Sequence, residues 1–413
     1  MLKYKIGSST YVYDDNRMLL LEENLYDECK FNYGTVESCD NIIDNVKPNS
    51  ITLNMINSCN LKCDYCYANE GTYGNANNIM NFDTARKSIM KIIEMMRING
   101  NNFLKVLFFG GEPLLTFDMI KKIVNWCNET YKDIIFKFGV TTNGTLLTEE
   151  MIDFFEKNDF GIAVSLDGDK EANDKHRKDK HGFGTYDKVI KKLNKIKNTE
   201  NIAIRLTITK GNIEINKYIE SLLQNTNIKK FTYAFDFASM DKMEINKFNE
   251  NYNKLFQKYK QDIIDGNLYD ITNITNVIHR LIYRNRMLKF CNAGKGYFSV
   301  ASDGEIYLCH RFLENSLYNI SDIDKGYKIS KNKENYNNLV QDYTSCKGCE
   351  VRYSCGGPCY NDRLLINEKK KNKNLVCLER KFNIENSFRL LLELPEESRI
   401  RFAKYILSSK NNG

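Results

Sequence analysis

Ile51-Thr52-Leu53-Asn54-Met55-Ile56 is a short β-rich apolar run, and Asn57-Ser58 leads directly from it into Cys59-Asn60-Leu61-Lys62-Cys63-Asp64-Tyr65-Cys66. A strand that delivers three cysteines in C-x3-C-x2-C spacing decides the reading of the fold. Outward from it, further apolar runs follow at Lys105–Phe109, Ile134–Val140, Gly161–Leu166, Ile202–Thr209 and Phe231–Phe237. Amphipathic stretches of helical period lie between them, at Phe82–Arg97, Phe117–Thr130, Thr148–Lys157, Thr185–Lys197 and Glu214–Leu223. Strands alternating with helices of this length imply βαβ units and a parallel sheet. Six strands are too few to close an eight-stranded barrel, so the expected α/β fold is an open, partial (β/α)6 TIM-like barrel. A flat doubly wound sheet is the alternative. Parallel αβ barrels place their chemistry at the C-terminal ends of the strands, and the three cysteines fall there.

The chain has 413 residues, of which 42% are apolar and 12% aromatic, so it is long enough for two or three globular domains. Its 60 Lys and Arg against 53 Asp and Glu leave a net charge of +7, too mild to imply a nucleic-acid or membrane partner. The opening residues Met1-Leu2-Lys3-Tyr4-Lys5-Ile6-Gly7-Ser8 lack the apolar core of a signal peptide. No apolar run approaches the roughly 20 residues that span a bilayer. A cytoplasmic protein is expected. Residues 1–48 form a β-rich segment with a hairpin from Tyr4–Tyr13 and Met18–Leu21 around Asp14-Asp15-Asn16-Arg17. Residues 49–285 hold the barrel and a helical linker over Asn246–Met287. Residues 286–383 are a Cys- and Gly-rich domain of little apolar core, to be held by bound metal. Residues 384–413 are a helical segment interrupted at Pro395, and the Lys-rich stretch Glu368–Lys373 reads as a solvated loop.

An odd count of 13 cysteines without a secretion signal argues against a disulfide framework. Cys29, Cys39 and Cys127 are isolated and read as small buried hydrophobes. The other ten fall in two groups, Cys59, Cys63 and Cys66 near the first strand and Cys291, Cys309, Cys346, Cys349, Cys355, Cys359 and Cys377 in the last third. Three local thiolates would leave one iron of a four-iron cube without a protein ligand. Structural zinc normally takes four ligands, and no nearby His or Cys supplies the fourth.

The first group, with Tyr65 before its last cysteine, resembles the signature of the radical S-adenosylmethionine superfamily. That resemblance implies a [4Fe-4S] cluster on Cys59, Cys63 and Cys66 whose open iron is chelated by S-adenosylmethionine. Gly110-Gly111-Glu112-Pro113 ends the next strand. Alone it is a strand-to-helix turn; after this triad it is similar to the family's element for the methionine ammonium, with glycine for close backbone approach and Glu112 as an acceptor. Thr141-Thr142-Asn143-Gly144 and Ser165-Leu166-Asp167-Gly168 end later strands, where the family contacts ribose, methionine carboxylate or substrate. Arg205 on the fifth strand would pair with that carboxylate, or else be a snorkelling barrel arginine. His176-Arg177 and Gly182-Phe183-Gly184 follow the family's fourth-strand loop.

The second group reads C-x12-G-x4-C over Cys291, Gly304 and Cys309, then C-x2-C-x5-C-x3-C over Cys346, Cys349, Cys355 and Cys359, then Cys377. It resembles the SPASM extension, which carries auxiliary iron–sulfur clusters; four thiolates on zinc are the physical alternative. By the family pattern Cys346, Cys349, Cys355 and Cys377 hold one auxiliary cluster and Cys291, Cys309 and Cys359 the other, for three [4Fe-4S] clusters in all. Sulfatase-maturating relatives place a further cysteine where Asn292–Leu308 has none, so one auxiliary iron is left open or is filled by His310 or a carboxylate. They also carry an Asp after the second cysteine, where this chain has His310. Cys309-His310-Arg311-Phe312 looks instead like the stretch of thioether-forming maturases of the sactipeptide and ranthipeptide kind. His310 is then a catalytic residue or a hydrogen-bond donor beside the cluster.

The resemblance implies a peptide maturase. A 5′-deoxyadenosyl radical would take hydrogen from a peptide carbon, and a substrate thiolate would then bond to it. The expected partners are a Cys-containing precursor peptide, with a contact to its leader by residues 1–48 through strand addition, and a flavodoxin- or ferredoxin-type reductant. The alternatives are anaerobic sulfatase maturation to formylglycine, another carbon-centred peptide modification on the same scaffold, and a cluster-bearing electron-transfer or redox-sensing protein.

Overall fold

A computed structural model gives the architecture and describes residues 1–29, 47–74, 78–315, 318–322, 339–362 and 375–411. Strand alternation builds the centre. In β5 (Phe103–Phe109) Leu104, Val106 and Phe108 are fully buried on one face, while Phe103, Lys105, Leu107 and Phe109 are half-buried on the other. The same period of two runs through β8 (Ile202–Ile208), with Ile202, Ile204, Leu206 and Ile208 packed outward against helices. The parallel strands β4 (Ser50–Asn54), β5, β6 (Ile135–Thr142), β7 (Gly161–Ser165), β8 and β9 (Lys230–Phe235) lie in sequence order. Lys105 of β5, Lys137 of β6 and Lys230 of β9 line one cavity. Strands that far apart in the order share a lumen only if the sheet curves, so the sheet is the open partial barrel and not the flat alternative.

Helices α2 (Phe82–Ile98), α3 (Phe117–Thr130), α4 (Glu149–Lys157), α6 (Tyr186–Leu193) and α7 (Ile215–Asn225) connect the strands. The expected helices begin within a residue of these. Side chains set their starts: Asn81 accepts from the Thr84 amide at 2.8 Å, and Thr148 from the Met151 amide at 3.2 Å. Cys127 on α3 is fully buried in the core, as its isolation suggested; Cys39 and the side chain of Cys29 lie outside the described residues.

Four features differ from the sequence reading. The run Tyr4–Tyr13 is not one strand but two, β1 (Leu2–Ile6) and β2 (Ser9–Asp14), turned at Gly7-Ser8, so that with β3 (Leu19–Glu22) it forms a three-stranded antiparallel meander. The linker is interrupted: α8 (Lys242–Ile264) gives way to a two-residue seventh parallel strand, β10 (Asp270–Ile271), before α9 (Thr272–Ile282). Part of the Cys-rich region is held by apolar packing. There β11 (Tyr297–Val300) pairs parallel with β4, and β12 (Glu305–Tyr307) and β13 (Asn319–Asp322) extend the sheet antiparallel. Phe298, Val300, Ile306, Tyr307 and Leu308 are buried in the main core. Finally, the C-terminal helix begins earlier, as α11 (Leu375–Glu393), after the four-residue α10 (Arg352–Cys355). The boundary expected at 383/384 falls inside α11; Pro395 separates it from α12 (Glu396–Asn411). The stretch Glu368–Lys373 lies outside the described residues. No helix among them is long and apolar enough to cross a membrane.

The meander packs on the Cys-rich region and the C-terminal helix. Tyr13 and Met18 pack with Val351, Tyr353, Ile384 and Phe388 in a second core that also holds Cys346. The Tyr13 hydroxyl lies 2.7 Å from Ser354 Oγ, and Asp15 accepts from the Tyr353 amide at 3.1 Å.

Candidate active site

The loop after β4 is seated against the end of β5 by close backbone contact. Gly111 N donates to Ile56 O at 2.8 Å and Glu112 N to Ser58 O at 2.9 Å. A Cβ on Gly111 would stand 2.0 Å from Ser58 O, and one on Gly110 2.7 Å from Ile56 O. Gly71, at the far end of the loop, would place its Cβ 2.8 Å from that of Cys59. Only glycine lets these three segments meet.

This packing brings Cys59, Cys63 and Cys66 to one wall of an open cavity at the C-terminal mouth of the barrel. Burial, with Glu112, Cys63 and Cys66 nearby, pushes the Cys59 thiol up to about 11. Burial likewise raises Cys63, against the pull of Arg177. Thiols crowded this way give up their protons when a metal takes them, so the donor set fits a thiolate-ligated centre. Zinc asks for donors about 2.3 Å from one ion. Among the described residues no three His, Cys, Asp or Glu side chains converge that closely.

Tyr65 is held by a buried latch. Its hydroxyl donates to Asp167 and accepts from Arg177 Nη1 at 2.7 Å, while Asp167 also accepts from the Thr207 amide at 2.8 Å. Asp64 meets His176 Nδ1 at 2.8 Å, and the Lys62 amide donates to Lys178 O at 2.8 Å. The loop after β7 thus clamps the cysteine loop from the side opposite the glycines. Asn143 joins the same wall, donating to Asn60 Oδ1 at 2.8 Å and lying 3.7 Å from Cys59 Sγ.

Glu112 is 1% exposed, and its carboxylate accepts from Thr142 Oγ1 at 2.7 Å, Asn143 N at 2.8 Å and Leu114 N at 3.1 Å. It braces the ends of β5 and β6 behind the cavity residues Thr142 and Asn143. The glycine turn presents Gly110 and Gly111 to the cavity.

Ser165 and Arg205 are register partners on β7 and β8, and both face the cavity. No side-chain hydrogen bond or ion pair holds Arg205 among the described residues, so its charge is offered to the cavity. His310 faces the same space from the Cys-rich region. Its Nδ1 lies 2.7 Å from the Tyr297 hydroxyl and 3.8 Å from Cys309 Sγ. Burial, with Arg205 and Arg311 nearby, lowers its imidazole to about 3, so the ring is neutral.

The remaining seven cysteines gather in two neighbourhoods. Cys309 sits beside Cys359 and Cys291, and Cys346 beside Cys355, Cys377 and Cys349. Burial raises Cys309 to about 12 and Cys346 to about 11, the same condition as at the first group. A smaller depression opens at Cys291, Leu308 and Phe312.

Sequence reasoning missed three participants. Tyr297 orients His310; Asp362 is a carboxylate next to Cys359; and Arg311 lies 4.4 Å over the ring of Tyr67, another cavity residue. Arg311 stands in the quoted Cys309-His310-Arg311-Phe312 stretch, and Asp362 lies three residues after Cys359, outside the cysteine spacing that was read; nothing local marks Tyr297, thirteen residues before His310.

Comparison with known proteins places this geometry. Residues 53–223 match the Radical SAM superfamily model. An uncharacterized protein of Methanocaldococcus jannaschii is 30% identical over 267 residues, 63% of this chain and 84% of that one. The cysteine-type anaerobic sulfatase-maturating enzyme of Clostridium novyi is 25% identical over 348 residues, 78% of this chain and 90% of its own. The solved structure of histidine-tagged anSMEcpe with bound AdoMet superposes with a TM-score of 0.73 at 21% identity, over 88% of this chain and 98% of that one, which shows a shared fold.

Proposed function

The chain belongs to the radical S-adenosylmethionine superfamily, and from that premise we propose that it is a peptide maturase that joins a cysteine sulfur of its substrate to a substrate carbon. Bound S-adenosylmethionine and a reduced [4Fe-4S] cluster would supply a 5′-deoxyadenosyl radical that accepts one hydrogen atom. Cys59, Cys63 and Cys66 would hold that cluster, Gly110 and Gly111 would face the methionine amine, and Arg205 with Ser165 and Asn143 would receive the carboxylate and ribose. Tyr65, tied to Asp167 and Arg177, keeps the cysteine loop at fixed height over the barrel mouth. Cys291, Cys309 and Cys359 would hold one auxiliary cluster and Cys346, Cys349, Cys355 and Cys377 the second, giving three clusters. The layout follows as 1–48 leader contact, 49–285 barrel, 286–383 SPASM domain and 384–413 helical segment, served by a flavodoxin- or ferredoxin-type donor.

The observation that carries the thioether reading is that, among the described residues, three thiols and not four gather at Cys309, whose neighbour His310 faces the barrel cavity. An auxiliary site short of one protein thiolate leaves room for a substrate thiol, which a metal deprotonates on binding. His310, its Nδ1 2.7 Å from the Tyr297 hydroxyl, would stand beside that thiol as a positioning group. The crosslink removes two hydrogens from the peptide, one as an atom and one as a proton with an electron. The Clostridium novyi relative supports a second reading, formylglycine formation in a protein substrate.

Mass spectrometry after anaerobic reaction with a Cys-rich peptide separates the two. Loss of two hydrogens together with protection of cysteine from alkylation supports the crosslink. An untouched peptide beside formylglycine in a sulfatase-derived peptide refutes it. For the leader contact, removal of residues 1–7 takes away edge strand β1, and an unchanged precursor-peptide dissociation constant would refute that contact.

A further inference from the structure

The two auxiliary cysteine groups are joined by five consecutive residues, Cys355-Gly356-Gly357-Pro358-Cys359, with one thiol of each group at either end. The segment bends tightly past the chain that leads into Cys291: a Cβ on Gly356 would meet Lys289 O at 2.8 Å. Arg380 of α11 closes on this corner. Its Nη1 donates to Gly357 O, the middle of the bridge, at 2.6 Å. Its guanidinium lies 3.6 Å over the ring of Phe290, the residue before Cys291. Cys355 on one side and Cys359 on the other are both close enough to act on its charge, and Cys377 one helical turn back also senses it.

We infer that Arg380 is a shared positioning residue for both auxiliary sites, a single positive charge that stabilises the reduced state of each cluster and fixes their separation through the Gly357 carbonyl. The inference rests on the reading that both groups hold clusters. Net charge near an iron–sulfur cluster sets its potential, and a delocalised guanidinium bound to the backbone cannot swing away as a surface lysine would. Other charged groups that face Arg380 are Glu379 beside it and Arg280 from α9, which approaches Cys355 from another side.

The test uses the full chain, reconstituted anaerobically, with Arg380→Gln and Arg380→Met as neutral variants and Arg380→Lys as the charged one. Redox titration followed by paramagnetic resonance reads the potentials of all clusters without turnover. Both auxiliary potentials should fall in the neutral variants, by about tenfold in the one-electron equilibrium constant or 59 mV, with the radical cluster unmoved and the Lys variant near wild type. Loss of auxiliary iron from the neutral variants with retention in Lys is the same result in stronger form. Fully loaded neutral variants at wild-type potentials, a shift confined to one auxiliary cluster, or equal iron loss from all three variants would overturn the inference. Wild-type protein that binds only about four irons would instead sink the reading of two auxiliary clusters, a failure visible before any variant is made.

Discussion

Gly111→Ala puts the seating of the cysteine loop to the test. The added methyl would stand 2.0 Å from Ser58 O and 2.4 Å from its carbonyl carbon, about 1.4 Å inside ordinary contact. The obstacle is backbone, so no side-chain rotation relieves it. Relief has to come from the Ser58-Cys59 segment or from the end of β5, at an overpacking cost of roughly 1–3 kcal/mol. Displacement of a reacting group by about 1 Å costs on the order of 10²-fold in rate. Anaerobic formation of 5′-deoxyadenosine with dithionite and S-adenosylmethionine should therefore drop about a hundredfold. Iron at the auxiliary cysteines, read by resonance, should persist and show that the chain has folded. Gly161→Ala is the matched control, since the nearest atom to its methyl is Phe138 O at 3.9 Å, and it should keep the wild-type rate. A Gly111→Ala protein that makes deoxyadenosine as fast as wild type would refute the claim that close glycine packing sets the cluster's position.

Tyr65→Phe removes the hydroxyl between Asp167 and Arg177 and leaves a buried pair 3.9 Å apart. Loss of about 1–3 kcal/mol from the loop should appear as a lower melting temperature and a slower deoxyadenosine rate, and an unchanged value of both would dismiss the latch. Replacing Cys59, Cys63 and Cys66 together with Ala should abolish deoxyadenosine yet keep about eight of twelve irons; a count of zero would contradict separate auxiliary sites. Lys105, half-buried in the lower lumen, is pushed below its usual range by burial and by Lys230 and Lys137. Its folded pKa lies below the unfolded value of 10.5, so the unfolded chain binds more protons and stability rises as pH climbs from the depressed value towards 10.5. Lys105→Met should raise the melting temperature at neutral pH and flatten that rise, measured as the difference between the two proteins; equal profiles would count against it.

The barrel was legible because its strands and helices carry strong periods of their own. Ile51 to Phe237 needed no distant information to be read as six βα units. Where strands pair across a long gap, no local pattern exists. β11 is four residues long and gains its place only by lying beside β4, so it was read as metal-held loop. The run Tyr4–Tyr13 has unbroken β character on both sides of Gly7, and only the turn itself divides it. Cysteine spacing announced thiol-rich sites, since metal ligands must be near in sequence or recur in groups. Spacing does not say what a carboxylate is bonded to, and Glu112 accepts from Thr142 and Asn143 at the end of the neighbouring strand. Arg380 carries no local signal in the sequence; α11 brings it to Gly357.

Because β11 pairs with Ser50–Leu53 of β4, a chimaera cut at residue 285 would strip one flank from the strand that leads into Cys59, Cys63 and Cys66. The bare edge would invite intermolecular pairing. Exchange of substrate specificity between relatives is therefore a matter of transplanting Tyr297–Val300 along with whatever follows it, or of leaving both in place.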